Sequence, residues 1–396
     1  MANSVIVSGA RTPIGKLSGA LGSLTAMQLG SIAIKGALTR AGLAPEMVEY
    51  VFMGHVLQAG QGQITARQAA VGAGIPMTVP ATTVNKVCLS GLNSLHLADL
   101  MIRAGEADIV VAGGMESMTQ SPYFLPGARG GFRMGDVQLI DSMLYDGLFC
   151  AFDKMAMGLA TEHYLQVTPI PRERQDRFSM LSHERAAKAI KDGRMAKEIV
   201  PVAVPQRKGD DLIVETDEGV RPETTMESLG KLRPAFSKDG AITAGNASQI
   251  SDGAAALIVM SPAKAKELGL TPLAEIVGYG QVAGPDTSLL HQPSNAINDA
   301  LRRARMSVGD IDLFEINEAF AAVAVASMDH LGISEDVVNV NGGAIAMGHP
   351  IGASGARLAL TLITELAERG GGVGAAALCG GGGQGDALLV RTVLSS

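Results

Sequence analysis

Two stretches of the chain repeat one organisation in the same order. Ser90-Gly91 opens a helical pattern that runs to Gly105 and precedes a strand; Ser354-Gly355 opens another, ALTLITELAERG, before the strand-like Val373 to Leu378. Both halves then finish alike, DGAAALIVM from Asp252 against GDALLVRTV from Gly385. Small-residue αβ units resemble one another by chance in composition, but chance does not repeat their order. The pattern therefore reads as an internal duplication, with two sheet domains packed together. The 396 residues, 47% of them hydrophobic, suffice for more than one core.

Within the first half, Ser4 to Ser8 and Tyr50 to Gly54 are strand-like, and Thr25 to Arg40 and Gly91 to Arg103 have helical spacing. Ala107 to Ala112 is a continuous apolar run ending in Gly113-Gly114, the pattern of a strand buried on both faces. Strands alternating with helices imply parallel sheets covered by helices. From Glu116 to about Asn246 the pattern breaks into methionine-rich loops including PYFLPGARGGFRMGD, a charged helix over Arg172 to Lys191, and a hairpin-like PVAVPQRKGDDLIVETDE. This excursion suits a ligand-covering or subunit-contact role, and equally a purely structural one.

The 32 basic and 39 acidic residues give a net charge of −7 without a basic block, which argues against nucleic acid as a partner. MANSVIVSGARTP meets Arg11 and Pro13 too early for a signal peptide, and no apolar run has the length of a membrane span, so neither export nor a membrane is expected. Three cysteines, at 88, 150 and 379, are poor material for a disulfide framework or a thiolate metal site. His349 is outside any HExxH motif, so no metal is expected, and a reducing cytoplasm is the simplest location.

Cys88 follows a β-branched run and precedes the helix opened by Ser90-Gly91, which places its sulfur at a strand-to-helix turn where the helix N-terminus favours a thiolate. The same residue also suits a small buried hydrophobe. His349, in NVNGGAIAMGHPIGASGARLAL, is placed to accept a thiol proton near neutral pH. So many glycines also suggest a phosphate loop, but neither a Walker pattern nor a dinucleotide fingerprint is present. Cys379 precedes four glycines whose amides can approach an oxyanion, or simply turn a hairpin around a buried thiol. Asn317 and Glu318, in LFEINEAFAAVAV, suit helix capping, and spacing does not bring them to Cys88.

Taken together and in order, VNKVCLSG, NEAF, GHPIGASGAR and CGGGGQG resemble the signatures of thiolases, and the similarity spans essentially the whole chain. It is nearest the short-chain type that works on acetyl-CoA, to which GGFRMGD and KLRPAF are also similar. The resemblance implies a five-layer αβαβα α/β fold of duplicated sheet domains: an N-terminal domain of residues 1–118 plus 251–270, a loop domain of 119–250 for coenzyme A and subunit contacts, and a C-terminal domain of 271–396. It implies Cys88 as the acylated nucleophile, His349 as its activator, Cys379 as the second acid/base, and Asn317 as the holder of a water that forms one oxyanion hole with His349. The amides of Cys88 and Gly381 form the second hole. Arg221, Ser228, Ser248, Ala319 and Phe320 then correspond to coenzyme A contacts, and Leu148 and Met157 to the acyl pocket wall. Acyl-CoA thioesters are the implied partners, with coenzyme A and acetyl-CoA as substrate or product, no tightly bound cofactor, and a homotetramer.

Two positions depart from the family pattern. Ala156 stands before Met157 where the short-chain enzymes carry histidine, which opens or reshapes the acyl pocket. Leu89 follows Cys88 where many members have glycine, and either crowds the substrate or fills a core gap. A longer-chain 3-ketoacyl-CoA thiolase is the nearest rival reading, and a non-catalytic acyl-CoA-binding protein the rival outside catalysis. A related condensing synthase lacks the second cysteine and is disfavoured by Cys379.

Overall fold

A computed structural model describes residues 3–393. Among the described residues the main sheet has ten strands, nine of them along its path: β1 (Val5–Arg11), β2 (Tyr50–Gly54), β3 (Ala81–Val84), β4 (Ile109–Ser117), β5 (Ser251–Met260), β6 (Ala274–Ala283), β7 (Leu313–Ile316), β8 (Val373–Gly380) and β9 (Gln384–Thr392). The helices used below are α1 (Ala26–Ala41), α2 (Ser90–Arg103), α3 (Met157–Leu165), α4 (Arg172–Lys191), α5 (Gln292–Ala304), α6 (Ala321–Leu331) and α7 (Ser354–Glu368).

The strand order is β7-β8-β9-β6-β1-β5-β4-β2-β3, with the short strand Gly15–Lys16 beside β5. Read outward from the β6/β1 contact, each half runs through its first strand, its last strand and then its middle strands. The repeat seen in the sequence is thus a repeat of topology. In both halves the middle strands pair in parallel, β2 with β4 and β7 with β8, while the last strand returns antiparallel. The expected parallel sheets are therefore mixed, because no crossover helix separates β8 from β9 and the Gly381–Gly383 turn makes a hairpin instead.

Side-chain alternation builds the layers. Ala375, Ala377 and Cys379 of β8 join one core with α5 and α6, while Ala376 and Leu378 face the opposite core, shared with α2 and α7. Val110 and Ala112 of β4 enter that same central core, and Val111 faces α1 on the other side. Helices thus lie outside each half-sheet and between the two, giving the five layers. The repeated Ser-Gly dipeptides explain the middle layer. A Cβ on Gly91 would come within 2.9 Å of the Ala356 amide nitrogen, and one on Gly355 within 2.2 Å of that of Leu92. Only glycine lets the two central helices touch there.

Local signals set the element ends. Thr25 and Gln28 form a capping box at the start of α1, and Gly42 ends it in the left-handed region. The Ala107 run becomes a strand only from Ile109, and continues through both glycines to Ser117. Gly114 is required there, since a Cβ would lie 2.0 Å from the Gly352 carbonyl oxygen. The middle excursion contains α3, α4 and the hairpin of Val202–Val204 with Leu212–Val214. It is tied to β1 by a buried ion cluster, Arg11 with Glu198 at 2.7 Å and with Asp217 at 2.7 Å.

Candidate active site

Cys88, His349 and Cys379 meet in one cavity of about 60 Å³, although they come from both halves of the chain. Gly381, Leu148, Met157, Ser248, Ala319 and Phe320 share its wall. Leu148, Met157, Ser248, Phe320 and His349 also border an adjoining, more apolar cavity of about 400 Å³, where Ala156 faces Met118, Leu144, Phe236 and Ile250. Arg221 and Ser228 stand outside both cavities: the Arg221 amide donates to His183 Nδ1 (3.1 Å), and Ser228 closes a capping box with Thr225. Glu318 is buried behind the site, accepting from Ser182, Asn339 and the Ile345 amide. Burial raises its carboxyl above the usual range.

The turn that presents Cys88 is strained. Val87, a β-branched residue, has φ of +51°. Its amide donates to Asn85 Oδ1 (3.1 Å), while Ser90 Oγ accepts from the Lys86 amide (2.8 Å) and donates to the Val87 carbonyl (2.6 Å). On the opposite side, Gly382 and Gly383 take φ of +81° and +69°, the conformation that turns β8 into β9 and leaves Gly381 in the wall of the cavity that holds Cys88.

The Cys88 thiol is pushed up to about 12 by burial, reinforced by the Glu116 carboxylate; its own amide and that of Gly381 act the other way. Desolvation outweighs the pull of the helix N-terminus, so Cys88 rests as a thiol. Cys379 is likewise raised, by burial and by the neighbouring Cys88, so both sulfurs rest as thiols.

His349 is lowered to about 3 by burial and by the Arg357 charge, and is therefore neutral at pH 7. Its tautomer follows from a chain of hydrogen bonds. Ser354 donates its single proton to the Pro350 carbonyl (3.0 Å), so it accepts from His349 Nδ1, 2.6 Å away. Nε2 then carries the lone pair and accepts from Asn317 Nδ2 at 3.3 Å. Asn317 Oδ1 is buried without a partner among the described residues. Behind the histidine, Glu116 accepts from the amides of Val56 (3.1 Å), Leu57 (3.1 Å) and Gly352 (3.0 Å), which locks the loop after His349 to the end of β2.

Ser354, Glu116, Lys86 and Asp386 were not singled out by sequence reasoning. For Glu116 and Asp386 a signal existed, since each is a lone carboxylate in a strand otherwise buried on both faces. Leu89 is resolved by packing. It is fully buried in the central core, and a Cβ on Gly380 would lie 2.6 Å from its Cγ, so it fills a core gap and does not line the cavity.

Two thiols and a neutral imidazole beside backbone amides are the groups that acyl transfer and proton removal beside a carbonyl require. Residues 4–263 match the N-terminal thiolase domain and residues 270–392 the C-terminal thiolase domain. The chain belongs to the thiolase family. Thiolase relatives resemble it along its full length. A "Probable acetyl-CoA acetyltransferase" of Mycobacterium tuberculosis is 58% identical, over 99% of this chain and 100% of that protein. An acetyl-CoA acetyltransferase of Cupriavidus necator is 52% identical, again over 99% of this chain and 100% of that protein. The crystal structure of the Bacillus anthracis acetyl-CoA acetyltransferase superposes with a TM-score of 0.97 at 40% identity, covering 99% of each chain. Among the described residues no His, Cys, Asp or Glu cluster is placed to hold a metal, and no helix is long and apolar enough to cross a membrane.

Proposed function

We propose that this thiolase is an acetyl-CoA C-acetyltransferase, condensing two acetyl-CoA molecules reversibly to acetoacetyl-CoA and coenzyme A. The observation that carries the reading is the meeting of two thiols and a neutral imidazole in a cavity of about 60 Å³. That volume equals about four to six water-sized probes, enough for acetyl groups and too small for a long acyl chain.

In this reading His349 Nε2 takes the Cys88 proton and the sulfur attacks the thioester carbonyl carbon, with the amides of Cys88 and Gly381 serving as one oxyanion hole. Coenzyme A leaves with the proton of Cys379. The Cys379 thiolate then removes an α-proton from a second acetyl-CoA. The negative charge moves onto that thioester oxygen, stabilised by His349, now protonated at Nε2, and by a water on Asn317. The carbanion attacks acetyl-Cys88, and the released sulfur recovers its proton from His349, so both thiols and the imidazole return to their starting states.

The larger apolar cavity receives the pantetheine arm, with Ser248, Ala319 and Phe320 along it and Arg221 and Ser228 at the nucleotide end. Residues 119–250 act as the loop domain between the halves, for coenzyme A and for subunit contacts in a homotetramer. Support for the contact role comes from Phe132, Met134, Val137 and Leu139, all exposed. A cytoplasmic location accords with substrates of this kind.

Acetyl-CoA mixed with variants and followed by intact mass decides the roles. Cys88→Ala should take up no acetyl group, whereas Cys379→Ser should hold one on Cys88 and fail to condense. A stable adduct on Cys88→Ala would overturn the assignment. Coenzyme A-dependent cleavage of acetoacetyl-CoA beside 3-ketohexadecanoyl-CoA decides chain length. Comparable efficiencies would move the protein to the broad degradative thiolases and implicate Ala156.

A further inference from the structure

The strained turn at Val87 belongs to the N-terminal half, while Gly381, which lines the same cavity as Cys88 and lies against Val87, belongs to the C-terminal half. Such strain persists only where the surroundings over-determine it. The bonds from Asn85 and Ser90 hold the turn within its own half and leave its distance from Gly381 free. Across the gap, Leu89 packs on Gly380 and Lys86 makes polar contacts, one to Gln281 Oε1 at 3.3 Å and closer ones to Asp386. Lys86 Nζ, two residues before the nucleophile, bonds both oxygens of Asp386, at 2.7 and 2.9 Å.

Asp386 lies in β9, directly beyond the glycine turn, in a strand that pairs Cys379 with Gly385. It is fully buried, and Tyr279 OH donates to it from β6 at 2.8 Å. His96 of α2 stacks on that tyrosine, with ring centroids 4.1 Å apart and an interplanar angle of 5°. The carboxylate thus sits in the sheet of the C-terminal half, with α2 of the N-terminal half stacked on the tyrosine that bonds it, and the Lys86 ammonium reaches it from the N-terminal half with its side chain only 20% exposed.

We propose that Lys86 and Asp386 are a positioning pair, which clamps the strained Cys88 turn to the glycine hairpin so that the amide of Gly381 meets the charge formed at Cys88 and at the acyl carbonyl. The pair touches neither substrate nor reacting atoms and acts through the distance between the two half-sites. A salt bridge of this kind, spanning the domain junction under the reaction cavity, contributes geometry more than stability.

The inference rests on the thiolase reading, and acetylation of wild-type Cys88 by acetyl-CoA is its control. The decisive comparison is between Lys86→Met and Asp386→Asn, which change the local charge in opposite directions. Positioning requires both to slow single-turnover acetylation, and iodoacetamide alkylation of Cys88 at fixed pH, by about tenfold to a hundredfold, with KM for acetyl-CoA moved much less. Lys86→Arg, which keeps charge and reach, should recover most of the rate. A purely electrostatic role would make the two variants move apart, and that result overturns the proposal, as does acetylation within twofold of wild type in either. If Lys86→Met fails to fold, the Asp386→Asn and Lys86→Arg rates still decide. A wild-type chain that takes no acetyl group overturns the functional reading together with this one.

Discussion

Ser354 has one hydroxyl proton, and where it goes decides what His349 can do. With the proton on the Pro350 carbonyl, Nε2 is the free base. Ser354→Ala removes the acceptor at Nδ1 and lets both tautomers populate. Acetylation and condensation should fall together by about tenfold to a hundredfold, with Ser354→Thr restoring much of the loss; unchanged rates would make the hydroxyl a packing group. The lowered His349 value of about 3 also sets a pH profile. A base held that low stays unprotonated far below its ordinary 6.5, so kcat/KM should show no acid midpoint near 6.5, and an acid limb there assigned to His349 would contradict the geometry. The sign for stability is the matching one. The unfolded imidazole binds a proton as pH falls through about 6.5 and the folded one does not, so its contribution is full above that value and is lost between there and about 3. Cys88, pushed up to about 12, implies alkylation that still accelerates above pH 9 in the absence of substrate.

At the scale of elements, the placement of Cys88 depends on how α2 begins. Leu89 precedes the first residue of that helix and is fully buried in the central core against Gly380, so one side chain packs the nucleophile turn onto the strand that carries Cys379. Leu89→Ala leaves a gap between two catalytic elements, and a loss of about 2–5 kcal/mol in urea unfolding is expected, with slowed acetylation. Gly380→Ala should be harmful for the converse reason, as the added methyl meets Leu89 Cγ at 2.6 Å. The two Ser-Gly helix starts were legible in the sequence because turn chemistry and helical spacing act over a few residues. The antiparallel return of β9 was not, since its direction is set by the length of the Gly381–Gly383 turn and by pairing with β6, far away in the chain.

For the whole molecule, the ion cluster under β1 joins the middle excursion to the sheet. Arg11 is 1% exposed and serves both Glu198 and Asp217. Arg11→Met would leave Asp217 buried without its cation and Glu198 with only the longer contact to Arg194 (3.4 Å), and a destabilisation of about 3–5 kcal/mol is expected by denaturant unfolding. A variant within 1 kcal/mol of wild type would mean that water reaches the cluster once the guanidinium is gone, an outcome visible as retained cooperativity with lowered m.

The sequence by itself determined what acts locally: the duplicated order of elements, the two Ser-Gly helix starts, the cysteine at a strand-to-helix turn, and the four motifs that resemble those of thiolases. Tertiary structure decided what depends on groups arriving from both halves. Burial in a shared cavity raises the Cys88 thiol to about 12 against the pull of the helix end and lowers His349 to about 3. Packing also settled Leu89 as core, and brought Lys86 to Asp386. The division has a physical cause. Periodicity and turn chemistry are properties of neighbouring residues, whereas desolvation and charge coupling sum over every atom within several ångströms, and those atoms are assembled only when the two halves close on each other.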